Sequence, residues 1–168
     1  MQYHCTECIN NAERMDPMEL REPTTAAAVI ERMLHEGFEA GDPTVVDELC
    51  APDMIEHQFG LSGAGPAAIE KLKRGIVDVH AAFSELRFTV ADIAQSGDTV
   101  WVRADVTGIH TGPFIGEATG KPVNFTVIDV ATVQDGRIVE HWGVPDRFAI
   151  LAQTGQLPRS RAVTPAAG

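Results

Sequence analysis

Apolar residues recur at helical spacing in the first half of this 168-residue chain and alternate with polar ones in the second. Val29 or Ile30, Met33, Leu34, Gly37 and Phe38 fall on one face of a helix that Thr24 or Thr25 caps and Gly41-Asp42-Pro43 stops. A short helix follows, with Val45, Val46 and Leu49 inward. Pro52 to Gln58 reads as one more helical turn or an extended step that delivers Ile55, His57 and Phe59. Gly60 to Pro66 is a flexible loop, and Pro66 suits the first turn of the next helix. That helix turns Ile69, Leu72, Ile76, Val79 and Phe83 to one side and leaves Lys71, Lys73 and Arg74 mostly outside.

After Ser84 the period shortens to two. Leu86, Phe88, Val90 and Ile93 make a strand, and Ser96-Gly97-Asp98 turns it. Thr99 to Thr107 is a second strand, with Val100, Val102, Ala104 and Val106 on one side and Trp101, Arg103 and Asp105 on the other. A turn-rich crossing, Gly108 to Gly120, leads to a third strand, Val123 to Val133. Asp135-Gly136 turns a hairpin into a fourth, Arg137 to Val144, and Asp146 to Gln153 closes as a helix. Helices first and an antiparallel meander second predict an α+β fold, with helices laid on one face of a curved sheet to form a cone. The open end of such a cone is a natural ligand pocket. The domain is expected over residues 24–158, after a poorly ordered lead-in of residues 1–23 and before a tail of residues 159–168.

Composition narrows the function classes. The hydrophobic fraction of 44% and charged fraction of 22% are those of an ordinary soluble globular protein. A net charge of −11 repels phosphate backbones and anionic lipid surfaces, which argues against nucleic-acid and membrane partners. No apolar run reaches membrane-spanning length, and Met1 to Asn10 lacks the pattern of a signal peptide, so the cytoplasm is the expected location. Cys5 and Cys8, beside His4, resemble half of a zinc site, but no second Cys or His pair follows at the needed spacing. No metal is expected. Nucleophile motifs, a P-loop and a dinucleotide fingerprint are also missing, so the chemistry the chain supports is proton transfer without a cofactor.

The densest chemistry lies on the fourth strand, where Glu140, His141 and Trp142 are consecutive. Ionisable and aromatic side chains crowded on one short strand are costly unless they line a cavity. Strict alternation places Trp142 with Ile138 and Glu140, and turns His141 the other way unless a bulge intervenes. Asp129 interrupts the apolar run Val127-Ile128-Asp129-Val130 and faces either solvent or the cavity. Asp146, after Pro145, suits a helix N-cap as well as an acid/base role. His57 is either a buried structural histidine or a pocket residue. His110 closes the pocket mouth or sits on a surface loop. Trp101, Arg103 and Trp142 are candidates to contact a substrate, or ordinary packing residues.

Together the pattern resembles the SnoaL-like polyketide cyclases of the nuclear-transport-factor-2-like (cystatin-like) cone superfamily. The matching pieces are Asp53-Met54-Ile55-Glu56-His57, Gly108-Ile109-His110-Thr111-Gly112-Pro113-Phe114, Ala118-Thr119-Gly120-Lys121-Pro122, and Asp135-Gly136-Arg137-Ile138-Val139-Glu140-His141-Trp142 with the Pro145-Asp146 that follows. The resemblance implies a cyclase or isomerase acting on a polyketide-like small molecule, and a homodimer formed through the outer sheet face, with Arg103, Asp105 or their neighbours buried. A non-catalytic binder and a hydroxylase- or epoxide-hydrolase-like enzyme are the other members of the fold to consider. It also implies that an aspartate just after the last strand, here Asp146, is the general acid/base. The family's pocket histidine before the final hairpin has no counterpart in Val130-Ala131-Thr132-Val133, which points to rearranged pocket groups. The expected mechanism has Asp146 or Asp129 as the base and His57 as hydrogen-bond donor to the developing oxyanion.

Overall fold

A computed structural model describes residues 25–157. The expected lead-in, the whole of the expected tail, and Cys5 and Cys8 lie outside those residues. Helix α1 (Ala26–Arg32) begins where the sequence predicts, with the Thr25 hydroxyl accepting from the Ala28 amide at 3.1 Å. It runs on into a π-helical stretch, Met33–Glu39. Helix α2 (Val45–Leu49) and the long α3 (Gly65–Ala82), with Pro66 in its first turn, follow as expected. Helix α4 (Arg147–Thr154) closes the described chain.

The sheet has six strands: β1 (Cys50–Glu56), β2 (Gly63–Ala64), β3 (Phe83–Ser96), β4 (Thr99–His110), β5 (Pro122–Gln134) and β6 (Arg137–Pro145). Their order is β2-β1-β6-β5-β4-β3, with β1 parallel to β6 and every other neighbour antiparallel. Asp135 and Gly136 both take positive φ, 49° and 74°, as a type I′ turn between β5 and β6 requires. The concave face carries Val100, Val102, Ala104 and Val106 of β4 and Phe125 and Val127 of β5, packed with Val29, Ile30, Met33 and Leu34 and with Leu72 and Ile76 of α3. Each such buried aliphatic side chain contributes about 1.5–3 kcal/mol. Among the described residues, no helix is long and apolar enough to cross a membrane.

Two departures from the sequence reading decide the site. The first lies in residues 52–58: of the two readings the extended one holds, as β1 up to Glu56, but its parity is the reverse of the expected one. Met54 and Glu56 are buried, whereas Ile55, His57 and Phe59 are exposed. A one-residue change of register exchanges every side chain between faces, so this choice determines which residues the strand offers to the cone. The second is a bulge in β6. Thr132 pairs with Glu140 but Val133 pairs with Ile138, so Val139 is an extra residue on β6. Ile138 therefore points inward, and Glu140 and Trp142 point outward. The expectation that these three share a face fails at the bulge.

Candidate active site

On the concave face β1, β6 and β5 bring together three ionisable side chains far apart in sequence. Glu56 lies beside His141 in the parallel pairing of β1 with β6, and Asp129 pairs with Gly143, two residues beyond His141 on β6. The His141 Nδ1 donates to Glu56 Oε2 at 2.8 Å, and its Nε2 lies 3.5 Å from Asp129 Oδ1. The imidazole is thus held between two carboxylates. Side-chain exposure is 0% for Glu56, 11% for His141 and 7% for Asp129. Desolvation lowers the pKa of His141, but the hydrogen bonds to Asp129 and Glu56 outweigh it and raise the pKa from 6.5 to about 10. The ring is therefore an imidazolium at neutral pH.

Asp129 and His141 open onto a cavity of about 90 Å³ inside the cone. Its walls are mostly apolar, with Met33, Leu34, Met54, Leu72, Phe83 and Phe125 among them. The other polar walls are Gln58 and Arg147. The Arg147 guanidinium donates to the Phe59 carbonyl at 2.7 Å and lies 5.3 Å from the centre of the Phe59 ring, so it joins the loop after β1 to the start of α4. Phe114 packs on Phe83 with ring centres 5.1 Å apart, bringing the β4–β5 crossing against the cavity.

Gly143 makes the polar corner possible. A methyl group there would coincide with Gln58 Oε1 and lie 3.0 Å from Asp129 Oδ1. Gly143→Ala is accordingly expected to push Gln58 out of the corner and crowd the carboxylate. Turnover should fall at least as steeply as overpacking lowers stability, which is by about 1–3 kcal/mol. Parallel thermal melts and steady-state rates measure the two effects.

The structure separates the sequence candidates. Asp129 and His141 line the cavity. Asp146 is the N-cap of α4: its Oδ1 accepts from the Ala149 amide at 2.8 Å, and the residue is exposed. The capping role the sequence allowed is occupied, and Asp146 is outside the cavity wall. His57 is not a pocket residue. It lies on the convex face, stacked on Trp142 with rings 4.4 Å apart and 6° from parallel, and its Nε2 is 2.9 Å from Glu140 Oε1. Trp101 and Trp142 also lie on the convex face, with Val130 paired to both. Arg103 is there too, paired with Asp92 at 2.6 Å and with Asp105 at 3.4 Å. His110 neither closes the mouth nor sits on the surface. It is fully buried, with Nδ1 3.0 Å from Thr119 Oγ1, and Nε2 has no partner among the described residues.

The sequence reading missed Glu56, Gln58 and Arg147 as members of the site. The signal for the first two was present: Met54 and Glu56 alternate on the inward face of β1, and Gln58 continues the period just beyond its end. Among the described residues no group of three or more His, Cys, Asp or Glu side chains is arranged to hold a metal ion. Both nitrogens of His141 are engaged by carboxylates.

The family model of the SnoaL-like polyketide cyclases matches residues 28–154, which takes in every element that builds this corner. The chain belongs to that family. No curated protein matches it. Among solved structures, IdmH of Streptomyces antibioticus, described as a candidate polyketide cyclase, is 36% identical with a TM-score of 0.64, over 77% of this chain and 98% of its own. TsrD of Streptomyces laurentii is 25% identical with a TM-score of 0.70, over 82% of this chain and 99% of its own. AclR of Streptomyces galilaeus, described as a candidate hydroxylase, is 27% identical with a TM-score of 0.65, over 82% and 89%. A SnoaL-like cone is therefore the frame for the Glu56, His141 and Asp129 array, and its members differ in their described reactions.

Proposed function

We propose that this SnoaL-like protein is a cofactor-free cyclase or isomerase that moves protons on a polyketide-type intermediate, with Asp129 as the general base. The observation that supports this most is a cavity-facing carboxylate beside a buried imidazolium in otherwise apolar walls. Asp129 takes a proton from carbon next to a carbonyl. The electron pair moves onto the carbonyl oxygen, and the enolate carbon attacks a second carbonyl of the same molecule, closing a ring. The proton on Asp129 then returns to the new alkoxide, so nothing is consumed. An N–H donor must meet the enolate oxygen away from bulk water. His57 faces away, so we assign that part to the Gln58 amide, which makes no side-chain hydrogen bond among the described residues, with the His141 imidazolium beside it. The test is proton exchange: in heavy water, the protein should catalyse loss of the α-C–H signal of an aromatic β-dicarbonyl probe. No acceleration above buffer would remove the reading.

The convex face supports the dimer that the resemblance implies. Trp101, Val130 and Trp142 form one row across β4, β5 and β6, and Arg103, Ile128 and Val144 form the next. Trp101, Ile128, Trp142 and Val144 are all exposed. Contiguous exposed apolar surface of this kind marks an interface, and the same patch presented by two copies suits a self-complementary two-fold contact. The protein is expected to sediment as a dimer at micromolar concentration and Val144→Asp as a monomer. A monomeric wild type would dismiss the assembly.

A further inference from the structure

We infer that Glu56 is a positioning residue that sets up both polar groups facing Asp129, by gripping His141 through Nδ1 and Gln58 through its backbone amide. The inference rests on the general-base reading above but concerns a residue that never reaches the cavity. Glu56 is 1% exposed, and both its oxygens are engaged. Oε2 accepts from His141 Nδ1 at 2.8 Å, and Oε1 accepts from the Gln58 N–H at 2.7 Å. One carboxylate thus fixes a ring on β6 and the second residue of the loop that leaves β1.

The three-membered line is asymmetric, and the asymmetry assigns the parts. Glu56 is sealed, so it cannot meet a substrate. Asp129 lines the cavity and can. An acceptor on Nδ1 keeps a proton on that nitrogen and directs Nε2 toward Asp129 and the cavity. Without the charge of Glu56 the buried ring would more readily lose a proton, and neutral His141 would become a second base beside Asp129. Glu56 therefore separates the roles, leaving His141 a donor and Asp129 the base. Buried ion pairs often add little net stability, so stability alone is a weak account of this arrangement. The ionisable groups around the line are few. Besides Asp129 from β5, Arg147 of α4 lines the same cavity. The buried Cys50 thiol of β1 is pushed up to about 12, by desolvation first and by Glu56 second, and stays neutral.

The test uses the intact protein labelled with nitrogen-15 and pairs ring spectra of His141 with the pH profile of proton exchange on the β-dicarbonyl probe. In the wild type both ring nitrogens should carry protons well above neutral pH. Glu56→Gln keeps the shape and loses the charge. It should lower the His141 titration, and with it the alkaline limb of the exchange profile, by about 1–3 pH units. The maximal rate should fall while KM changes little. Glu56→Asp keeps the charge and should hold the titration closer to the wild type. An unmoved titration and an unmoved limb in folded Glu56→Gln would overturn the inference. So would a wild-type spectrum with Nδ1 unprotonated at pH 8, a measurement that needs no variant to fold. If the titration moves but the wild type exchanges no probe proton, the general-base reading fails and the hold of Glu56 on His141 stands.

Discussion

Asp129→Asn is expected to slow catalysed proton exchange and turnover by about 10²–10⁴-fold, the usual worth of a positioned proton acceptor. Asparagine keeps the size of the side chain and still offers an oxygen to His141 Nε2, so the cavity and substrate affinity should survive. The comparison that gives the number its meaning is Asp146→Asn. Asparagine caps helices about as well as aspartate, and the side chain of Asp146 is already bonded to Ala149. Asp146→Asn should therefore leave rate and stability close to those of the wild type. Initial rates of both variants on one substrate decide the matter. A large loss in Asp146→Asn with none in Asp129→Asn would return the acid/base role to the residue after the last strand.

The second large effect concerns stability. Among the described residues, His141→Ala removes the one side chain that bonds Glu56 Oε2 and leaves two buried carboxylates with no cation between them. Breaking a buried ionic array from its centre costs about 3–5 kcal/mol. For a domain of this size that is roughly 6–20 °C in melting temperature. The pH dependence has a definite sign. A histidine whose pKa is raised from 6.5 to about 10 on folding contributes fully below 6.5, and that contribution is lost as pH rises through about 10. The wild type should thus lose stability across that alkaline range, and His141→Ala should not share the slope. Urea titrations at pH 5, 7 and 9 measure both behaviours, and a variant as stable as the wild type at pH 7 would mean that the carboxylates are not buried.

The fold was legible because periodicity reports burial directly. The helix over α3, the alternation of β4 and β5 and the Asp135-Gly136 turn each follow from local spacing. The site was legible only in part. Asp129 stood out because a carboxylate in an apolar strand must find a cavity, a partner or water, and here it has the first two. Glu56 was hidden because β1 is short, begins at the end of α2 and carries Pro52, so its period of two is sampled only briefly. The misplacement of His57 has the same origin, since wrong parity in one strand moves every residue of it. The outward turn of Trp142 depends on pairing between β5 and β6, which no local pattern encodes.

Val139 is the residue that the β5–β6 ladder does not need. Without it, Val133 to Ile138 and Thr132 to Glu140 would be consecutive pairs, with Ile138 and His141 still facing the cone. The hairpin is therefore free to vary in length by one residue while the wall that carries the histidine stays fixed. Deletion of Val139 should leave His141 facing the cone, although counting residues from the hairpin tip would assign the histidine to the other side of the sheet. Which side of the sheet a residue of β6 faces is thus set by strand pairing rather than by distance along the chain.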